Sequence, residues 1–159
     1  MKKYNDFRVC SVGRTLEVLG DKWIFLILRE AFFGETHFDG FAKSLGIATN
    51  VLSDRLRWLV QNGVMKKEKD ANDGRRACYR LTRKGLDIYA ITLTLMQWGD
   101  RWLAGDDGPP LTLTHKTCGN TLTPVVCCEA CGKPVLAREV SWQPGPGAKE
   151  KKRGEKIKE

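Results

Sequence analysis

The sequence predicts a mainly α-helical fold carrying a small β-hairpin, followed by a small cysteine-bearing β module. Three observations carry this expectation. Apolar residues recur at helical spacing in successive segments up to residue 61 and again from 83 to 103. Between those stretches, two short runs flank an Asn-Asp-Gly turn. Beyond a Gly/Pro-rich break, four of the six cysteines fall within 14 residues. A chain of 159 residues, 42% hydrophobic and 29% charged, suffices for one ordinary domain with an appendage and a packed core. Its longest apolar run, Trp23 to Leu28, is far short of the ~18 residues a bilayer span needs. The opening Met1-Lys-Lys-Tyr-Asn-Asp leads into no signal-peptide apolar region. A soluble cytoplasmic protein without membrane association is therefore expected.

In chain order, Ser11 is expected to cap a short helix bearing Val12, Leu16 and Leu19, ended by Gly20. Asp21 then caps a helix from Lys22 to about Phe32, with Trp23, Ile24, Ile27, Leu28 and Ala31 on its apolar face. A third helix runs from about Phe38 to Leu45 and stops at Gly46. A fourth follows from about Thr49 to Gln61, with Leu52, Leu56, Leu59 and Val60 inward. Two short helices joined by a Gly-Ile-Ala turn, the second longer and polar outside, form the helix-turn-helix pattern. The strands from Val64 and from Arg75 to Leu81, around the turn Asp70 to Gly74, add a wing directly behind it.

Thr82 is expected to cap one long helix, about Arg83 to Leu103. Ile88, Ile91, Leu95, Trp98 and Trp102 form one stripe on it, and Leu86, Ala90 and Leu93 form a second. Two apolar stripes on one helix predict burial against a partner subunit as well as the core. The expected organisation is a DNA-binding and dimerisation domain over 1–104, a linker over 105–110, a zinc-ribbon-like module over 111–142, and a disordered basic tail over 143–159. No internal repeat of supersecondary size is apparent.

The net charge of +8 is unevenly placed. Residues 43–84 hold eleven Lys/Arg against four Asp/Glu, whereas residues 106–142 hold three against four. A basic segment so concentrated points to a polyanion, most often nucleic acid. At 100° per residue, Asn50, Asp54, Arg57 and Gln61 share a narrow arc opposite Leu52 and Leu56, with Thr49 and Ser53 beside them. Asn and Gln suit adenine edges, Arg suits guanine or phosphate, and Ser/Thr suit either. Arg55 flanks the apolar stripe, where it reaches phosphate or braces the helix. Arg75 and Arg76 at the wing suit phosphate or minor-groove contact.

Four segments in order resemble the HxlR family of bacterial winged helix-turn-helix transcriptional regulators, related to MarR. They are Cys10-Ser-Val-Gly-Arg-Thr-Leu-Glu-Val-Leu-Gly-Asp-Lys-Trp23, Phe38-Asp-Gly-Phe41, Leu45-Gly-Ile-Ala-Thr-Asn-Val-Leu-Ser-Asp-Arg-Leu56 and Tyr79-Arg-Leu-Thr-Arg-Lys-Gly85. The resemblance covers roughly residues 4 to 104. It implies a homodimer on a palindromic or near-palindromic operator, with double-stranded DNA as partner. It also implies that Cys10 is a candidate sensor of electrophiles or oxidants. Its place at a helix start, near Arg8 and Arg14, favours thiolate, while a small buried apolar role is the simpler alternative. Cys78, on a wing strand, is expected to pack.

The C-terminal cluster reads His115-x2-Cys118-Gly and Cys128-x2-Cys131-Gly, separated by nine residues. Each pair matches a zinc knuckle, and together they supply three thiolates and one imidazole for a structural Zn2+. Cys127 is the spare thiol. A redox pair at Cys128 and Cys131 is the alternative, although no thioredoxin-like context surrounds it. No Gly-rich phosphate loop, paired-carboxylate motif or nucleophile elbow is apparent, so no enzymatic activity is expected. The leading expectation is a sequence-specific DNA-binding regulator. A winged-helix module that docks proteins is the alternative.

Overall fold

A computed structural model of the chain describes residues 10–71 and 73–147. Four helices open the fold: α1 Ser11–Leu19, α2 Lys22–Phe32, α3 Phe38–Leu45 and α4 Thr49–Gln61. The cap of α1 is Cys10, not Ser11. Cys10 has extended backbone while its carbonyl already accepts the Arg14 N–H at 3.0 Å, which makes Ser11 the first helical residue. Asp21 caps α2 as expected, its carboxylate accepting the Trp23 N–H at 2.8 Å. The turn between α3 and α4 passes through Gly46 at φ 58°.

Ile24, Ile27 and Leu28 of α2, Phe41 of α3, and Leu52, Leu56 and Leu59 of α4 are all buried around one centre. Each such side chain contributes roughly 1.5–3 kcal/mol by leaving water. Ile47 beyond Gly46, Val64 and Met65 close the same core, while Val60 is only half-buried.

Strands β1 Met65–Lys69 and β2 Ala77–Leu81 pair antiparallel, with Met65 opposite Leu81 and Lys69 opposite Ala77. The loop before α3 joins their edge: the Tyr79 N–H donates to the Thr36 carbonyl at 2.7 Å, and His37 bridges Cys78. Cys78 is buried, consistent with packing. The second strand starts later than expected, leaving Arg75 and Arg76 in the loop. The carboxylate of Asp70 accepts the Asp73 N–H and that of Asp73 accepts the Arg75 N–H, so side chains hold backbone groups that a longer ladder would have used.

The expected single long helix is two: α5 Arg83–Asp87 and α6 Tyr89–Leu103. The Ile88 N–H bonds back three residues, to the Gly85 carbonyl at 3.2 Å, and its side chain enters the core, tightening the path there. Thr82 caps α5 through its hydroxyl and donates the same hydroxyl to the Gly63 carbonyl at 2.6 Å. The Lys84 ammonium holds the Asn62 carbonyl at 2.8 Å. A methyl group on Gly85 would collide with the Val64 carbonyl oxygen, so α5 lies flush on the segment between α4 and β1.

Beyond residue 110 the expected strands do not form as regular strands. Two tight loops stand there instead, each closed by one bridge, Thr114 to Thr121 and Cys127 to Pro134, followed by a 3-10 turn, Ala137–Glu139. They form a structural repeat of 13-residue offset, smaller than a supersecondary unit. The Gly119 N–H donates to the His115 carbonyl as Gly132 does to Cys128, and the Leu122 N–H donates to Leu113 as Val135 does to Val126. The turns require Gly119 at φ 72° and Gly132 at φ 70°. Half-buried Leu113, Leu122 and Pro124 of the first loop line one cavity with Leu93, Met96 and Gln97 of α6. Of the second stripe, Leu93 therefore faces the C-terminal segment, while Leu86 and Ala90 are exposed. Residues 143–147 are without regular structure, and the rest of the predicted basic tail, 148–159, lies outside the described residues.

Candidate nucleic-acid interface

The polar side of α4 is set by its apolar side. With Leu52, Leu56 and Leu59 fully buried, the 3.6-residue period turns Asn50, Asp54, Arg57 and Gln61 to solvent. Thr49 is exposed at the first turn, and Ser53 is half-buried toward the wing. The structure thus brings Asn50, Asp54, Arg57 and Gln61 onto one exposed face, with Thr49 exposed beside it and Ser53 and Arg55 half-buried.

The arginines divide into three kinds. Arg57 is exposed and paired within its helix to Asp54, 2.9 Å away, a contact that solvent screens and a phosphate or base displaces at little cost. Arg55 braces instead. Its guanidinium donates to the Asp21 carboxylate at 2.7 Å, and its Nε is buried without a hydrogen-bond acceptor among the described residues. That hydrogen bond holds the Asp21 carboxyl below the ordinary carboxylate range, opposed by burial and helped by the Trp23 and Ile24 N–H groups. It raises Arg55 correspondingly. Of the two roles expected of Arg55, the one seen within the chain is the brace, a link between α4 and the cap of α2.

At the wing, Arg76 donates to Asp39 of α3 at 2.9 Å, and His37 Nε2 lies 2.6 Å from the Asp70 carboxylate. These contacts hold the wing loop against the start of α3. No side-chain partner engages Arg75 among the described residues, so it is the freer cation of the two. Between α4 and the wing lies a cleft lined by Ser53, Arg57, Gln61, Lys67 and Tyr79, with the Lys67 ammonium 5.7 Å from the Tyr79 ring centre. Sequence reasoning missed Lys67 and Tyr79 here. The alternation of β1 and β2, which puts one face of the hairpin toward α4, was the available signal.

Cys10 is half-buried at the start of α1, with Arg14 hydrogen-bonded to Ser11 beside it; Arg8 lies outside the described residues. In the C-terminal loops, Cys118 Sγ lies 3.5 Å from His115 Nδ1. The Cys131 and Ala130 N–H groups point at the Cys128 sulfur, and with the Cys131 side chain they lower its thiol pKa. Each pair is formed, but among the described residues no three His, Cys, Asp or Glu side chains converge on one point. The predicted ligands are thus brought together two by two, not as four. No helix among the described residues is long and apolar enough to cross a membrane.

Comparison with known proteins agrees with this architecture. The HxlR-like helix-turn-helix family matches residues 18–107. An HTH-type transcriptional regulator of Mycobacterium tuberculosis, Rv3095, itself uncharacterized, is 48% identical over 141 residues, 89% of each chain. Among solved structures, a Pseudomonas aeruginosa protein assigned as a transcription factor, PA1374, is 33% identical with a TM-score of 0.62, covering 89% of this chain and 96% of its own. The redox regulator HypR in its reduced form is 26% identical with a TM-score of 0.52, over 58% of this chain and 92% of its own. A match to more than half of the chain, with helix, turn, helix and wing in the places the residues dictate, leaves one assignment: the chain belongs to the HxlR-like helix-turn-helix family of transcriptional regulators.

Proposed function

We propose that this regulator reads a specific DNA sequence as a homodimer on a palindromic or near-palindromic operator. The observation that carries the reading is the exposed α4 face of Thr49, Asn50, Asp54, Arg57 and Gln61, set beside a wing bearing Arg75 and Lys67. A convex polar helix with a cationic hairpin at its flank fits a major groove and the adjoining backbone. The alternative, a protein-docking module, would leave this basic face idle.

The second copy is supported by what α6 leaves uncovered. Only Thr92 of this 15-residue helix is buried, while Ile91, Leu95, Trp98 and Trp102 repeat at spacings of four, three and four on an exposed stripe, with Trp98 56% exposed. Val12 and Leu16 of α1 and Leu86 of α5 are exposed as well. An apolar surface of this extent on a monomer marks an interaction site. A symmetric pairing through it presents two α4 helices to one duplex.

Cys10 is proposed as the thiol through which oxidants or electrophiles act. Its support is its half-buried place at the head of α1, next to the exposed Val12 and Leu16, so that modification would disturb the proposed seam. Selection of bound sequences from random double-stranded DNA, with and without oxidant, tests the whole reading. Symmetric half-sites are the expected result, and no enriched sequence would sink it.

A further inference from the structure

We infer that His115, Cys118, Cys128 and Cys131 together bind one zinc-class divalent metal ion, each loop supplying two of the four ligands. The inference is independent of the DNA-binding reading. It starts from the repeat: two loops 13 residues apart share their turn hydrogen bonds, their bridge and their left-handed glycine. Superposing one on the other places His115 on Cys128 and Cys118 on Cys131. In each loop the candidate ligands therefore occupy the same two positions, the first and fourth residues of a turn. Cys127 falls on the position of Thr114, on the bridge itself, where it is spare.

The donors are prepared within each loop. Cys118 Sγ stands 3.5 Å from His115 Nδ1, and in the second loop the backbone N–H groups of Ala130 and Cys131 lie against the Cys128 sulfur. Three thiolates and one imidazole fill a tetrahedral shell, which is the coordination of structural zinc sites and leaves no position for a reacting water. Binding would release the three thiol protons to solvent.

What the segment lacks points the same way. From Leu111 to Gly147 no residue is buried, and Val125, Val126, Leu136, Val140 and Trp142 are exposed. The first loop rests on α6 through Leu113 and Leu122, but no apolar core fixes the second loop. A segment this short with no core of its own ordinarily needs a metal or disulfides to hold one arrangement. The two half-sites are not closed on one another here, so metal uptake should draw the second loop onto the first.

The test is metal analysis of the full-length protein, purified under reducing conditions without chelator, with cobalt as a spectroscopic probe. One zinc per chain is expected. Cobalt-loaded protein should show thiolate-to-metal charge transfer and the strong visible bands of a tetrahedral site. Cys118→Ser, Cys128→Ser and Cys131→Ser should each lose at least tenfold in zinc affinity, and Cys127→Ser should lose none. Wild-type protein that is metal-free and takes up no cobalt would overturn the site. So would metal held by Cys128 and Cys131 regardless of His115→Ala and Cys118→Ser, or a Cys128–Cys131 disulfide that persists under those reducing conditions.

Discussion

The guanidinium of Arg55, on α4, lies 2.7 Å from the carboxylate of Asp21, which caps α2. One acidic side chain thus serves two helices, starting one and steadying the other. Asp21→Ala should cost about 1 kcal/mol for the cap alone. The pair with Arg55 is a third exposed, so solvent limits what it adds. Because folding lowers the Asp21 pKa, the pair's contribution is fully present above the ordinary carboxylate value of ~3.9 and is lost as pH falls through the folded value. Asp21→Asn keeps a capping side chain but does not titrate. Urea unfolding of wild type and Asp21→Asn should differ at neutral pH and converge below that window.

The wing arginines should separate in a salt titration. Arg75 is free to meet a phosphate, and its replacement by Ala should lower the slope of log affinity against log salt by about 1. Arg76 is engaged with Asp39, so Arg76→Ala and Asp39→Ala should each loosen the wing and raise hydrogen exchange in residues 70–76. On α4, Asn50→Ala or Arg57→Ala should change which bases are preferred, at ~1–3 kcal/mol per lost bidentate contact. Equal effects of all five substitutions on every DNA sequence would contradict this division.

A charge on the α6 stripe should break the proposed dimer. Trp98→Glu places a carboxylate among Ile91, Leu95 and Trp102, and sedimentation should then report a monomer that has lost operator affinity. Since Trp98 is 56% exposed within one chain, the fold should survive, visible as unchanged helical circular dichroism. A dimer of normal affinity would remove α6 from the interface.

Oxidant response should depend on Cys10. Peroxide or a quinone should weaken operator binding by the wild type and leave Cys10→Ser unaffected, measured by fluorescence anisotropy on the selected site. A Cys10→Ser variant that responds like wild type places the sensing elsewhere.

What was legible in the sequence was whatever is local. Asp21 before an apolar run, Gly46 after one, and Thr82 before Arg83 mark helix ends: α2 starts after Asp21, α3 stops at Gly46 and α5 starts after Thr82. The face of α4 followed from the same periodicity. The partners of its arginines did not, because Asp21 lies 34 residues from Arg55 and Asp39 lies 37 from Arg76. No local pattern records such a meeting. The break at Ile88 was hidden for a related reason: the residues on either side keep helical spacing, and only the pull of the core on one side chain tightens the turn. In the C-terminal segment, the x2 spacing and the following glycine announced two turns, whereas their relative placement has no signature in sequence.

The contact of Gly85 with the Val64 carbonyl has a consequence for how DNA is measured. Between the end of α4 and the start of α6 there is no slack: Thr82 and Lys84 hold the carbonyls of Gly63 and Asn62, and Gly85 leaves no room for so much as a methyl group. Two chains joined along α6 would then act as calipers locked at one opening. The gap between their reading heads would be inherited from a five-residue helix, Arg83–Asp87, and not adjusted to each duplex. Half-sites near one helical turn apart, ~34–36 Å, fit or fail by phase, and a sequence out of phase is met only by bending the DNA.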